Sequence, residues 1–236
     1  MNVQDRRRLL GPSNAKPIVF SAATDIQSSE PKKDESSSFI LNSGLIENCN
    51  GSSLVEIRDP KVTQHQTSLI TSVYGPRATK GSFTSQASLS IQLKNGSSEK
   101  YNTTELKEVS SFLVNVFNSV INLSRYPKSG IDIFIYILYD KVLSEESKKS
   151  NNISAILPYC ISAITLALIN AGIEVDDIAT AGYYKGDVIS FIKNGEEVIG
   201  YWKDEGNCES FDVALEHCKT EAQKFKNLIT THILEE

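Results

Sequence analysis

The chain predicts an α+β domain in which mixed sheets pack against helices. Three observations carry this. Residues 131–138 alternate strictly, with Ile131, Ile133, Ile135 and Ile137 on one face, the period of a half-buried strand. Residues 106–123 repeat Leu106, Val109, Leu113, Val116, Phe117, Val120 and Leu123 at helical spacing. Residues 154–171 are apolar almost all round, the mark of a helix covered on every side. Strands come first and helices then pack on them, which fits an α+β arrangement.

Taken in order, residues 21–38 are rich in Ser, Glu, Lys and Asp and hold almost nothing to bury, so they read as a disordered linker. Ahead of it lies Asp5-Arg6-Arg7-Arg8-Leu9-Leu10-Gly11-Pro12. A solvated tail has no need of Leu9, Leu10 or Phe20. Arg6, Arg7, Arg8, Leu9 and Leu10 are therefore expected to dock on a partner subunit or an RNA phosphate. The chain divides into an arm and linker, 1–38, and a domain, 39–236. Short strands are expected at 53–57 and 68–74, each bounded by turn formers. A loop follows Arg77, then a strand at 88–93 that Asn95-Gly96 closes with a hairpin-type turn. Asn102 and Glu105 form a capping-box start for the first helix. After the strand at 131–138 comes a polar loop, 141–152, and the buried helix ends at Gly172. Strands 187–192 and 197–202 flank the Lys193-Asn194-Gly195-Glu196 turn. A last helix, 210–233, places Phe211, Leu215, Cys218, Ala222, Phe225 and Ile229 on one stripe.

The 236 residues carry a net charge of −5, which argues against a free-standing nucleic-acid binder but leaves room for a local basic patch. No run of about 18 apolar residues is seen, so no membrane span is expected, and residues 1–10 lack the apolar core of a secretory signal. Cys49, Cys160, Cys208 and Cys218 show no paired metal spacing and read as small buried residues or free thiols. His65, His217 and His232 are scattered, with no ligand-spaced neighbour. The Asn-x-Ser/Thr matches at Asn50, Asn95, Asn102 and Asn122 read as chance. No nucleophile elbow, P-loop or dinucleotide fingerprint occurs, and no metal or cofactor is expected.

Gly51-Ser52-Ser53 opens one strand, and Thr67 sits in a second that ends Val73-Tyr74-Gly75-Pro76-Arg77. This pair resembles the opening hairpin of the RNase PH family. Leu166-Ala167-Leu168-Ile169-Asn170-Ala171-Gly172-Ile173 looks like the family's Ala-Leu-x-Asp-Ala-Gly-Ile helix end, and Tyr126-Pro127 ahead of the 131 strand also fits. The resemblance covers most of 44–202. Within the family it is similar to ring subunits of the eukaryotic exosome core. It implies a ribosomal protein S5 domain 2-like fold and a heterodimer with another RNase PH-like chain inside a six-membered ring. It further implies OB-fold-type cap subunits, a central channel threading RNA towards an associated nuclease, and a location in nucleus, nucleolus and cytoplasm.

Phosphorolysis needs cations to hold a phosphate dianion and an acid or metal-binding carboxylate to help the leaving group. Active relatives carry arginine in Gly-Arg-Thr-x-Glu-Ile ahead of the first helix, where this chain has Asn102. They carry Gly-Gly-Thr-Arg before the second helix, where this chain has Ser154-Ala155-Ile156-Leu157. Their carboxylate-rich strand pair falls where only residues 174–186 remain, with Asp187 as one surviving acid and a turn or strand-edge residue by its setting. The resemblance therefore implies a non-catalytic structural subunit supporting 3′–5′ RNA processing. The alternative is an active phosphate-dependent 3′–5′ exoribonuclease with unusual ligands. Arg77 and Lys80, on the loop after the Val-Tyr-Gly-Pro strand, are the expected RNA contacts, while Arg125 and Lys128 read as solvated turn charges. Residues 131–139 have large side chains on both faces, so one face is expected in the core and the other under a helix or a neighbouring subunit.

Overall fold

The computed structural model describes residues 38–59, 65–96, 101–142, 153–203 and 210–235. The expected docking residues Arg6 to Leu10, most of the polar loop and Cys208 lie outside them. The strands are β1 Ser38–Ser43, β2 Gly51–Asp59, β3 His65–Ala78, β4 Ser88–Asn95, β5 Ser129–Val142, β6 Thr180–Tyr184, β7 Asp187–Ile192 and β8 Glu197–Trp202. The helices are α1 Thr103–Asn118, α2 Leu157–Asn170 and α3 Phe211–Glu235. One sheet has five strands in the order β1-β2-β3-β5-β4, and the other has three in the order β6-β7-β8.

The expected elements form, with differences that have physical causes. Asn95-Gly96 does not close a hairpin. β4 runs parallel to β5, and a parallel neighbour is reached only by a crossover, here α1. The Gly96 N–H instead donates to the Ile137 carbonyl at 2.8 Å and lengthens the ladder. β3 continues beyond Tyr74 through a register shift at Gly75-Pro76 and reaches Ala78, as a proline in a strand allows where the ladder is irregular. β1 was not foreseen, because its few apolar residues follow a polar run. It forms by antiparallel pairing with β2, with Leu41 opposite Val55. β6 was not foreseen either, since Thr-Ala-Gly-Tyr-Tyr carries little periodic signal. Its Gly182 is required where α3 crosses, because a Cβ there would lie 2.2 Å from the Cys218 carbonyl oxygen.

The layers explain the patterns. α1 packs on β4, and α2 lies between β2 and β3 of the large sheet and β6 and β7 of the small one, with α3 on the far side of the small sheet. Sheets on two sides account for an α2 that is apolar all round. Residues 153–170 are long and apolar enough to cross a membrane by length and composition, yet 78% of that stretch is buried inside the chain. Leu69, Val73, Ile131, Ile133, Ile135, Val109, Leu113 and Ile164 share the main core. On α3 the expected stripe buries Cys218, Ala222, Phe225 and Ile229. Phe211 departs from it: it is 46% exposed and packs edge-on against Tyr201, itself partly open to solvent, at 5.3 Å. The second face of β5 is under no described helix, and Tyr136 and Leu138 are exposed there.

Candidate functional site

The α1 N-terminus forms as its residues dictate. Asn102 is the N-cap in an extended conformation, and the Glu105 carboxylate accepts from its backbone N–H at 3.2 Å and from its side-chain amide at 3.3 Å. A helix N-terminus attracts anions, and here Glu105 already supplies one. Leu157 opens α2 with 0% exposure, and Ile153, Ser154 and Ile156 ahead of it are buried. No cation and no glycine-rich backbone stands at that position.

Between the two helix starts lies a group of side chains that motif counting did not find. Tyr101, adjacent to Asn102 and buried, donates its hydroxyl to Asp140 of β5 in a short hydrogen bond. The Thr67 hydroxyl donates to the other Asp140 oxygen at 2.9 Å. Cys160, fully buried in the first turn of α2, also feels the Asp140 charge. Burial first, then Asp140, pushes the Tyr101 phenol and the Cys160 thiol far above their ordinary values. Both stay protonated, so the fixed charge at the centre of this cluster is negative. A phosphate dianion brought here would meet like charge in partly desolvated surroundings, where the repulsion is strongest. The signal was thin in the sequence, because Thr67, Tyr101, Asp140 and Cys160 are far apart along the chain.

Asp187 follows the two-residue turn Lys185-Gly186, in keeping with a turn residue, but it is buried at the start of the central strand β7. Burial and then Asp187, which accepts the Tyr201 hydroxyl, raise the Tyr201 pKa. His217 and His232 are not brought together: His217 stacks on Tyr184 with centroids 4.5 Å apart, and His232 approaches Ser43 Oγ at 3.4 Å. Among the described residues no group of three or more His, Cys, Asp or Glu could hold a metal ion. Cys49, Cys160 and Cys218 are free thiols.

Arg77 lies on β3 rather than on the loop after it. Its guanidinium bonds Asp132 at 2.6 Å and sits 5.6 Å from the centroid of the Tyr74 ring. Lys80 is exposed on the following loop. Thr79 N–H donates to the Lys128 carbonyl at 3.1 Å and Lys128 N–H to the Thr84 carbonyl at 2.9 Å, which ties that loop to the Tyr126–Ser129 turn. Lys80, Lys128 and Phe83, which is 72% exposed, thus share one end of the molecule with Arg77. The signal for this patch was in the sequence, since residues 60–98 contain no carboxylate. Arg125 instead pairs with Glu174 at 3.4 Å.

Residues 35–174 match the model of the 3′ exoribonuclease family, domain 1, RNase PH. The chain is 33% identical over 93 residues to the exosome complex component ski6 of Schizosaccharomyces pombe, covering 38% of this chain and 34% of that protein. It is 30% identical over 147 residues to the exosome complex component RRP41-like of Arabidopsis thaliana, covering 60% of this chain and 50% of that protein. It thus spans between about a third and a half of the length of these relatives. The crystal structure of rice (Oryza sativa) Rrp46 superposes with a TM-score of 0.63 over 84% of this chain and 94% of that one, at 17% identity, a likeness of fold. With the family match extending over more than half of its length, the chain belongs to the RNase PH, or 3′ exoribonuclease, family.

Proposed function

We propose that this chain is a non-catalytic subunit of an exosome core ring, similar to the ring subunit known in yeasts as the mRNA transport regulator. The observation that carries the non-catalytic part is the pair of positions where active relatives would hold arginine: Asn102 is engaged by Glu105, Leu157 is buried, and Asp140 bonds Tyr101 next to Asn102 and acts on Cys160 in the first turn of α2. Each missing donor costs about 3 kcal/mol of transition-state stabilisation, so losing two leaves no useful phosphorolysis. The relatives, exosome complex components in a yeast and a plant, support the assembly. The uncovered face of the large sheet, with Tyr136 and Leu138 exposed, would meet another RNase PH-like subunit. Arg77 and Lys80 would touch RNA phosphates in the central channel, on the way to an associated nuclease. OB-fold-type caps and a nuclear, nucleolar and cytoplasmic location belong to the same proposal. The alternative, an active phosphate-dependent exoribonuclease, rests on Asp187 alone. Incubating the purified chain with phosphate, magnesium and single-stranded RNA is expected to yield no nucleoside diphosphates. Phosphate-dependent release that Asp187→Asn abolishes would overturn the non-catalytic reading.

A further inference from the structure

β4 is an edge strand: β5 lies on one side, and no described strand lies on the other. The direction of its backbone groups follows from two hydrogen bonds. Gly96 N–H faces β5 and donates to the Ile137 carbonyl. Leu93 N–H faces outward and donates to Ser110 Oγ of α1 at 3.0 Å. Successive residues of a strand turn their backbone groups to opposite sides, so Leu89 and Ile91 present N–H and C=O outward with Leu93. The register from Ser88 to Asn95 is continuous, with no bulge and no proline to blunt the edge.

Beside this edge runs an open groove of about 1030 Å³, with β4 along one side and Leu106, Ser110 and Val114 of α1 along the other. Among the described residues, the charged ones lining it are Lys94 and Lys107, and none of them is a carboxylate, in a chain whose net charge is −5. We propose that the outer edge of β4, beneath α1, is a docking site that takes an extended, acidic segment of a partner protein as an added strand. The edge offers donors and acceptors in alternation at the spacing of a strand, which another peptide backbone matches in register; the donors of a nucleic acid, its 2′-hydroxyls and base edges, do not repeat at that spacing. The two lysines select acidic side chains on the added strand. The proposal does not rest on the ring reading: neither Arg77 nor Lys80 lines the groove, and only Lys94, whose ammonium lies 5.7 Å from the centroid of the Tyr136 ring, borders the exposed sheet face, so Lys107 on α1 is the residue that tests the edge by itself.

Strand addition is driven by main-chain bonds and tolerates side-chain variation, so a simple probe suffices. A ten-residue peptide alternating valine with glutamate is added to the full chain, alongside its lysine-for-glutamate counterpart and a ten-nucleotide uridine RNA. Amide hydrogen exchange is followed across residues 88–95. The acidic peptide is expected to slow exchange at Leu89 and Ile91 and to leave Ser90 and Gln92, already paired with β5, unchanged. Lys107→Glu, at an exposed position on α1, is expected to weaken binding severalfold, and Lys94→Glu with Lys107→Glu about tenfold, as two surface ion pairs are lost. Unchanged melting of the Lys107 variant shows that folding is not the cause. Four results would overturn the proposal. They are no protection at millimolar acidic peptide, equal binding of the lysine peptide, protection of Leu89 and Ile91 by the RNA, and protection by self-association of the chain without any peptide. The first would make Lys94 and Lys107 guards of the edge against aggregation.

Discussion

In the non-catalytic reading Leu157 and Asn102 stand where active relatives would hold arginine, and neither is placed to bind an anion. Leu157 is sealed in the core and Asn102 is tied to Glu105. Restoring both arginines is therefore not expected to restore phosphorolysis. The Leu157→Arg change alone should destabilise the fold by about 3 kcal/mol or more, because it forces a long charged side chain into a fully buried site packed around leucine, and urea denaturation would measure this. Asp177 is a stabilising residue of another kind. Burial alone would raise its pKa, but the Lys226 ammonium at 2.8 Å and the N–H groups of Ile178 and Lys193 outweigh that and hold its carboxyl below the usual value. A depressed folded pKa contributes stability that is present above the unfolded value, about 3.9, and is lost as pH falls through the folded one. Asp177→Asn should cost about 2 kcal/mol at neutral pH and flatten the acid limb of the stability profile, read from urea midpoints between neutral pH and pH 3.

Elements follow from pairing as much as from propensity. β6 forms because α2 and α3 cover it from both sides, and Gly182 lets α3 approach. Gly182→Ala would force α3 away, since a Cβ meets the Cys218 carbonyl at 2.2 Å. Overpacking of this kind costs about 2 kcal/mol. Cys218 reports the displacement. Burial pushes its thiol pKa up to about 12, so in the native chain it should resist a thiol reagent at neutral pH. In the alanine variant Cys218 labelling should accelerate together with a lowered melting temperature. Labelling that stays slow would show that α3 accommodates the methyl group without lifting.

At the scale of the whole molecule, charge is unevenly placed. A chain of net charge −5 gathers Arg77, Lys80 and Lys128 at one end. Arg77 is partly neutralised by Asp132 at 2.6 Å, so on the proposed RNA path Lys80 would be the freer phosphate contact. Arg77→Ala with Lys80→Glu is expected to shorten the RNA length protected by an assembled ring at moderate salt, less so at low salt, because each phosphate contact releases counterions. Assembly itself should be unchanged by sedimentation. Protection that is equal at both salts would remove these two residues from the RNA path.

Periodicity settled the elements whose burial is one-sided and regular. The Ile131–Ile137 alternation, the α1 stripe with its Asn102–Glu105 start, and the Lys193–Glu196 hairpin were all legible, because each encodes its environment locally. Only the tertiary structure decided the rest, because it depends on partners distant in sequence. β1 exists through β2, and β4 is parallel to β5 rather than half of a hairpin. Arg77 belongs to a strand and is held by Asp132. Tyr101, Thr67, Cys160 and Asp140 carry no shared motif, yet folding sets a carboxylate beside both helix starts. A charge in that position can be read only when the residues around it are in place.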